Sequence, residues 1–337
     1  MLAYELHDKP DFDSLTRVER PATPLGPHDV RVKVHAVSLN YRDLNIARNA
    51  HRRPTGAPVV AASDGAGEVV DVGNEVSRLA VGNRVAALFF PDWHDGELTG
   101  AYHARALGGT IDGMLAQEVV RNERSWVGLP AHLSFEEGAT LPCAGVTAWH
   151  ALFEAAQVGP GSTVLVQGTG GVSIFALQLA KAAGAQVIVT SKSHAKRDRA
   201  RQMGADHVID YVATPKWGDQ AQALTGGRGV DVVVEVGGPG TFDQSIVALR
   251  YGGTMSLLGV LTGLRGEVNT YGVFQKGLHV RGIYVGSGRM FAALNRALSA
   301  TGIRPVIDRV FGMDEVRAAY EHLASGAHFG KVVIRVA

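Results

Sequence analysis

Gly168-Thr169-Gly170-Gly171-Val172-Ser173 decides how the chain is read. It follows the β-branched run Thr163-Val164-Leu165-Val166 and opens the apolar segment Ile174-Phe175-Ala176-Leu177-Gln178-Leu179-Ala180. A strand, a glycine loop and a helix in that order are what a dinucleotide requires. The first glycine permits a tight turn, and the second removes a Cβ that would block the pyrophosphate. The N–H groups at the helix start then face the anion. Ser173 stands where the pattern has its third glycine, and it is expected to loosen helix–strand packing slightly without removing the anion site. The alternative is a plain glycine turn before a core helix. The next strand, Gln186 to Thr190, arrives at the distance a strand–helix–strand unit needs, which favours the dinucleotide.

Working downstream, the alternation continues. Lys196 to Met203 fits a helix, and His207-Val208-Ile209 is a third strand. Val232 to Val236 is a fourth, ending at Gly237-Gly238-Pro239-Gly240, and Thr254 to Leu258 a fifth, ending at Gly259. His279 to Tyr284 closes the series. Strands alternating with helices from about Pro130 imply a parallel, doubly wound sheet whose ligands lie at the carboxyl ends of its strands. Upstream the chain is β-rich: Val30, Val32, Val34 and Ala36 alternate with Arg31, Lys33 and His35. Gly65, Gly67 and Gly73 punctuate Glu68 to Val72, and Val81-Gly82-Asn83-Arg84-Val85 turns into another strand. Such patterning implies a small barrel-like domain. Phe90 to Thr110 is less regular and reads as a long ordered loop, either shaping a pocket or covering the barrel.

Composition bounds the function classes. At 337 residues the chain is long enough for two domains with a core each. Its 33 Lys and Arg residues balance 32 acidic ones, so charge makes no case for nucleic acid or a membrane surface. A single cysteine, Cys143, excludes an intrachain disulfide and a four-cysteine zinc lobe. The start, Met1 to Asp8, has neither a basic n-region nor an apolar h-region, and no apolar run spans a bilayer. A cytoplasmic protein is expected.

The end of the second strand bears on the choice of cofactor. An NAD site places Asp or Glu there to hold the ribose hydroxyls. Here the residues are Thr190-Ser191-Lys192-Ser193, with Lys196 and Arg197 beyond. Hydroxyl and ammonium groups donate to a 2′-phosphate through charge-assisted bonds, whereas a carboxylate would repel it. NADP(H) is the expected cofactor; the alternative is a solvated, basic helix start.

With both halves placed, the chain resembles the medium-chain dehydrogenase/reductase superfamily, in its zinc-free, quinone oxidoreductase-like branch. The residues that carry the resemblance are Ser38-Leu39-Asn40-Tyr41-Arg42-Asp43, Ser63-Asp64-Gly65-Ala66-Gly67-Glu68, Val81 to Val85 and Leu141-Pro142-Cys143-Ala144-Gly145-Val146-Thr147-Ala148-Trp149. To these add the glycine loop, Gly204-Ala205-Asp206 and Gly330-Lys331-Val332-Val333-Ile334. The resemblance implies an α/β protein in which a GroES-like β-rich catalytic domain, residues 1–128 and 288–337, is interrupted by a Rossmann domain, residues 129–287. It implies a homodimer through the edge strand 279–284. It also implies roles for individual residues. Asn40, Tyr41 and Thr147 are the expected catalytic residues. Gly168, Thr169, Gly170, Gly171, Val172, Gly237, Gly238, Leu258 and Val260 are expected along the cofactor. Ser191, Lys192, Lys196 and Tyr211 are expected near a 2′-phosphate, and Lys331 on the closing tail.

Zinc-dependent relatives hold metal with a cysteine, a histidine and a later cysteine; the matching places here are Asn40, Ser63 and Cys143. Zinc needs three soft or imidazole ligands, and one survives, so no metal is expected and Cys143 reads as a small buried residue rather than a nucleophile. Without a Lewis acid, the easier acceptors are those that delocalise the incoming charge: a quinone, or the β-carbon of an enone or enal. The proton donor is open between Tyr41, His51 and bulk water, and Tyr41 packing under the cleft is an equal alternative. Arg52 and Arg53 either attract an anionic substrate or are simply solvated. Asp43 and Asp64 are expected to be structural. Three functions remain: reduction of quinones or activated alkenes, a zinc-free alcohol or carbonyl dehydrogenase, and a cofactor-binding regulator without turnover.

Overall fold

The computed structural model describes residues 1–49 and 57–337. They form two compact units, Met1–Val146 with Val285–Ala337, and Thr147–Tyr284. The first unit opens with β1 (Leu2–Leu6), β2 (Leu15–Glu19), β3 (Asp29–Leu39), β4 (Val59–Val60), β5 (Asp64–Val72), β6 (Arg84–Ala87), β7 (Glu118–Asn122) and β8 (Trp126–Gly128). The period-two pattern places β3 as expected, with Val30, Val32, Val34 and Ala36 buried. Strand β3 is the hub of the larger sheet because β5 and β7 both pair with it antiparallel.

Gly65 and Gly67 do not punctuate. Both lie inside β5, and a Cβ on Gly67 would stand 2.0 Å from the Lys33 carbonyl oxygen of β3. Close strand approach is the reason for that glycine. Gly73 does end the strand.

The second unit is the parallel sheet: β9 (Thr163–Gln167), β10 (Gln186–Thr190), β11 (His207–Ile209), β12 (Val230–Glu235), β13 (Leu249–Leu257) and β14 (His279–Gly282). They lie in the order β11-β10-β9-β12-β13-β14, all pairs parallel. Val164, Leu165 and Val166, with Val232, Val233 and Val234, are buried, as strands covered on both faces require. The order reverses between β9 and β12, the switch point of a doubly wound sheet. The last strand stops at Gly282, short of Tyr284, and all four of its residues are exposed.

The chain then returns to the first unit with β15 (Ile307–Gly312) and β16 (Lys331–Arg335), completing the order β15-β16-β3-β5-β6-β8. The boundaries differ from those expected. Segment 129–146 belongs with the first unit, because the Cys143 N–H reaches Asp64, Arg304 pairs with Glu137 and Arg335 with Glu136. The alternation also starts later than Pro130: the first parallel strand begins at Thr163, and 135–154 is helical, with a wide π turn at Leu141–Gly145. Among the described residues, no helix is long and apolar enough to cross a membrane.

Candidate active site

Strand β3 ends by delivering Asn40 in extended backbone (φ −125°, ψ 157°), immediately before the helix Tyr41–Arg48. The Asn40 N–H donates to Asp43 Oδ2 at 2.8 Å, which turns Asp43 inward and Tyr41 outward; Tyr41 is 42 % exposed. Arg42 donates to Asp43 Oδ1 at 3.1 Å and to the Leu107 carbonyl at 2.8 Å, with its guanidinium 4.8 Å over the Phe89 ring. Asp64 starts β5. It accepts the Ser63 hydroxyl on Oδ1 at 2.7 Å and the Cys143 N–H on Oδ2 at 3.0 Å. The Asn40 amide closes the set, its Nδ2 donating to Ser63 Oγ at 3.4 Å.

Lys331 enters from β16. The pairing Val332↔Leu39 fixes its register, and its Nζ donates to the Leu39 carbonyl at 2.7 Å and to Asn40 Oδ1 at 2.5 Å. Asp64 is 0 % and Lys331 3 % exposed. Burial pushes both carboxyls up, opposed chiefly by Arg42 at Asp43 and by Lys331 at Asp64. Burial pulls the Lys331 ammonium down, and Asp64 is the main charge holding it up. Burial also drives the Cys143 thiol well above its ordinary value, although the residue as a whole keeps partial exposure.

These residues do not fit a catalytic zinc. Of the three matching positions one is an amide whose oxygen is taken by Lys331, one a hydroxyl donating to Asp64, and one a thiol whose ionisation burial opposes. No group of three or more His, Cys, Asp or Glu among the described residues is placed to hold a metal.

In the second unit the glycine loop takes the form its spacing requires. Gly168 has φ +69° and its N–H donates to the Thr190 carbonyl at 2.8 Å, tying the loop to β10. Thr169 is buried, Gly170 precedes the helix Gly171–Ala182, and Val172 and Ser173 lie in its first turn, which carries no acidic residue. A first turn of N–H groups with no carboxylate beside it suits a pyrophosphate. Ser173 does not loosen the packing: it is buried, and its hydroxyl donates to the Gln167 carbonyl at 2.7 Å, fastening the helix to the end of β9.

At the end of β10 there is no carboxylate. Ser191 is buried, its Oγ accepting the Ser193 N–H at 3.3 Å, and Ser193 caps the helix His194–Gln202. Lys192 is exposed, Lys196 half-buried and Tyr211 exposed. Arg197 is committed elsewhere, to the Ser191 carbonyl at 2.7 Å and to Asp210 at 2.8 Å.

A buried carboxylate that sequence reasoning missed lies beneath Gly237 and Gly238. Glu235 ends β12, fully buried. Its Oε1 accepts the N–H groups of Gly237 and Gly238 at 2.7 and 2.9 Å and the Thr241 hydroxyl at 2.6 Å. Its Oε2 accepts Gln167 Nε2 at 2.5 Å and the Ser245 hydroxyl. The signal was a lone acid in the run Val-Val-Val-Glu-Val. Leu258 donates its N–H to the Glu235 carbonyl, and Val260 is exposed.

Asn40 and Lys331 are thus brought together in the first unit, whereas Thr147, buried, belongs to the second. His51, Arg52 and Arg53 lie outside the described residues.

Residues 26–131 match the alcohol dehydrogenase GroES-like domain family, and residues 171–300 the zinc-binding dehydrogenase family. The zinc-type alcohol dehydrogenase-like protein C1773.06c of Schizosaccharomyces pombe is 43% identical over 348 residues, spanning 99% of each chain. A solved structure from Sinorhizobium meliloti 1021, named as an alcohol dehydrogenase, superposes with a TM-score of 0.92 at 41% identity, covering 100% of both chains. A crotonyl-CoA carboxylase/reductase, AntE V350A in complex with NADP, gives 0.86 at 25% identity over 100% of this chain and 95% of the other. The quinone oxidoreductase of Coxiella burnetii gives 0.82 at 27% identity over 100% and 99%. A β-rich unit interrupted by a doubly wound one, matched along its whole length by such relatives, makes this chain an alcohol dehydrogenase-like oxidoreductase of the medium-chain dehydrogenase/reductase superfamily.

Proposed function

We propose that the protein is an NADPH-dependent oxidoreductase that delivers hydride, without zinc, to a quinone or an activated alkene. The observation that carries this is the chemistry at the three matching positions: the Asn40 amide oxygen accepts from Lys331, the Ser63 hydroxyl donates to Asp64, and burial opposes ionisation of the Cys143 thiol. NADPH, when bound, supplies the hydride. The loop Gly168–Val172 and the helix start hold its pyrophosphate, and Ser191, Lys192, Lys196 and Tyr211 hold its 2′-phosphate. Gly237, Gly238, Leu258 and Val260 line the nicotinamide end. An acceptor that gains hydride at carbon leaves an enolate or phenolate oxygen, which needs hydrogen-bond donors and a proton. Asn40 Nδ2 and the Tyr41 hydroxyl are the donors on offer, and Thr147 completes the catalytic set. Asp43 and Asp64 hold Asn40 and its neighbours in place. Edge strand β14, exposed along its length, supports a homodimer through residues 279–284; sedimentation as a monomer would remove that part of the reading.

The test is oxidation of NADPH and of NADH against a panel of quinones, enones, enals and simple ketones, with and without a chelator. NADPH consumption with quinones or enones, unchanged by the chelator, is expected. Tighter binding of NADH would overturn the cofactor assignment, and binding without consumption would make the protein a regulator. Activity confined to ketones and alcohols would favour a zinc-free alcohol or carbonyl dehydrogenase. That second reading draws on the alcohol dehydrogenase names of the relatives at 43% and 41% identity.

A further inference from the structure

We infer that Gln167 and Glu235 form a positioning pair, whose side chains together set the Gly237–Gly238 turn for the nicotinamide end of the cofactor. The inference rests on the cofactor placement proposed above and goes beyond it, because these two side chains act through the turn and not on the ligand. All the residues concerned belong to the second unit. Gln167 ends β9 and Glu235 ends β12, the two strands between which the sheet order reverses. Gln167 Oε1 accepts the N–H groups of Val236 and Gly237, each at 3.2 Å. Gln167 Nε2 gives one hydrogen to Glu235 Oε2 at 2.5 Å and the other to the Ser245 hydroxyl at 2.8 Å. That hydroxyl donates in turn to Glu235 Oε2. With Glu235 Oε1 accepting from Gly237 and Gly238, every backbone N–H from 236 to 238 is held by the pair. The turn itself admits only glycine: Gly238 has φ +87°, and a Cβ on Gly237 would stand 2.2 Å from Thr241 Oγ1.

The network has one polarity. A carboxylate only accepts, whereas an amide donates at one end and accepts at the other. Glu235→Gln therefore sets an NH₂ group against that of Gln167. Turning either amide over relieves the clash only by aiming an NH₂ at the backbone N–H groups of the turn. No arrangement then satisfies every donor, and a buried donor without a partner is costly enough to shift the backbone around it. Exchanging the two residues, Gln167→Glu with Glu235→Gln, mirrors the network and satisfies each donor again with the same charge. Gln167 also divides its work between the two ends of the cofactor. Its main-chain carbonyl takes the Ser173 hydroxyl of the helix Gly171–Ala182, and its side chain serves the glycine turn. A change to the side chain alone disturbs the nicotinamide end and leaves the pyrophosphate end in place.

The experiment compares the wild type with Glu235→Gln, with the swapped double variant Gln167→Glu/Glu235→Gln, and with the milder Ser245→Ala. Calorimetry gives dissociation constants for NADPH and for 2′-phospho-ADP-ribose, the same molecule without its nicotinamide. NADH and ADP-ribose take their place if the wild type prefers NADH. Hydrogen exchange across residues 236–241 is followed without any cofactor, and folding by circular dichroism. Glu235→Gln is expected to weaken NADPH on the order of 10-fold, leave 2′-phospho-ADP-ribose unchanged and speed exchange across the turn. Its kcat should fall on the order of 100-fold, the effect of misplacing a reacting group by about 1 Å. The swapped variant should recover most of each loss, and Ser245→Ala should show the same split in smaller measure. If Glu235→Gln fails to fold, Ser245→Ala carries the comparison of ligands and the swapped variant the test of polarity. Equal losses for both ligands in the folded variants, no loss for either, or no recovery on swapping would overturn the inference. A wild type that binds neither NADPH nor NADH would instead overturn the cofactor reading on which it rests.

Discussion

Asp64 is buried with its two oxygens held by the Ser63 hydroxyl and the Cys143 N–H. Asp64→Asn keeps the shape but replaces one accepting oxygen with an amide nitrogen, so one of the two donors loses its partner and unfolding in urea should show a loss of about 2 kcal/mol. Tyr41 is exposed and its hydroxyl is free of any such framework role, so Tyr41→Phe should lower kcat on the order of 100-fold with the KM for NADPH unchanged. Undiminished turnover would remove it as the proton donor. Asn40, Ser63 and Cys143 could be singled out because they sit inside recognisable stretches, and the structure links them through hydrogen bonds to one another and to Asp64. The hold of Lys331 on Asn40 was not legible, because it joins residues 291 apart in sequence through a strand pairing that no local pattern encodes.

Hydroxyls and charges do similar work between elements. Ser173 links the helix Gly171–Ala182 to β9 through the Gln167 carbonyl, so restoring the glycine of the motif should weaken the protein. Ser173→Gly should cost about 1.5 kcal/mol, one hydrogen bond plus the poorer helix propensity of glycine, and lower the thermal midpoint. Asp231, in β12, accepts the Thr163 N–H of β9 and pairs with Arg228 and Arg250. Burial works to raise its carboxyl, but Arg228, the Thr163 N–H and Arg250 outweigh it and hold it down to about 2. Because the folded value lies below the unfolded one, this stability is present above about pH 4 and is lost as pH falls through about 2. Asp231→Asn should therefore cost about 2 kcal/mol at pH 7, and its deficit should shrink toward pH 2 in urea titrations. The glycine loop was readable since Gly168 does what a turn glycine does, whereas Gly67 was misread: whether a glycine breaks a strand or admits a neighbour depends on a partner, Lys33, that its own surroundings do not name.

At the scale of the whole chain, the alternation of strands and helices was legible because each parallel strand is a short, continuous apolar run. The boundary between units was not, because residues 135–146 are helical just as residues 147–154 are, and segment 129–146 is claimed for the first unit by distant partners, Asp64, Arg304 and Arg335. That first unit is built from both ends of the chain, with β16 lying between β3 and β15. Truncation after Phe329 should leave residues 1–146 open to limited proteolysis while the fragment 147–284 stays resistant, as mass spectrometry of the digest would record. On the ribosome the same arrangement sets an order of events. All six strands of the parallel sheet have been synthesised once Gly282 is made, but the early strands must wait for Lys331 to Arg335 before their sheet is whole. For that interval the nascent polypeptide carries a finished nucleotide-type fold beside an unfinished partner, and that is the window in which chaperones have most to protect.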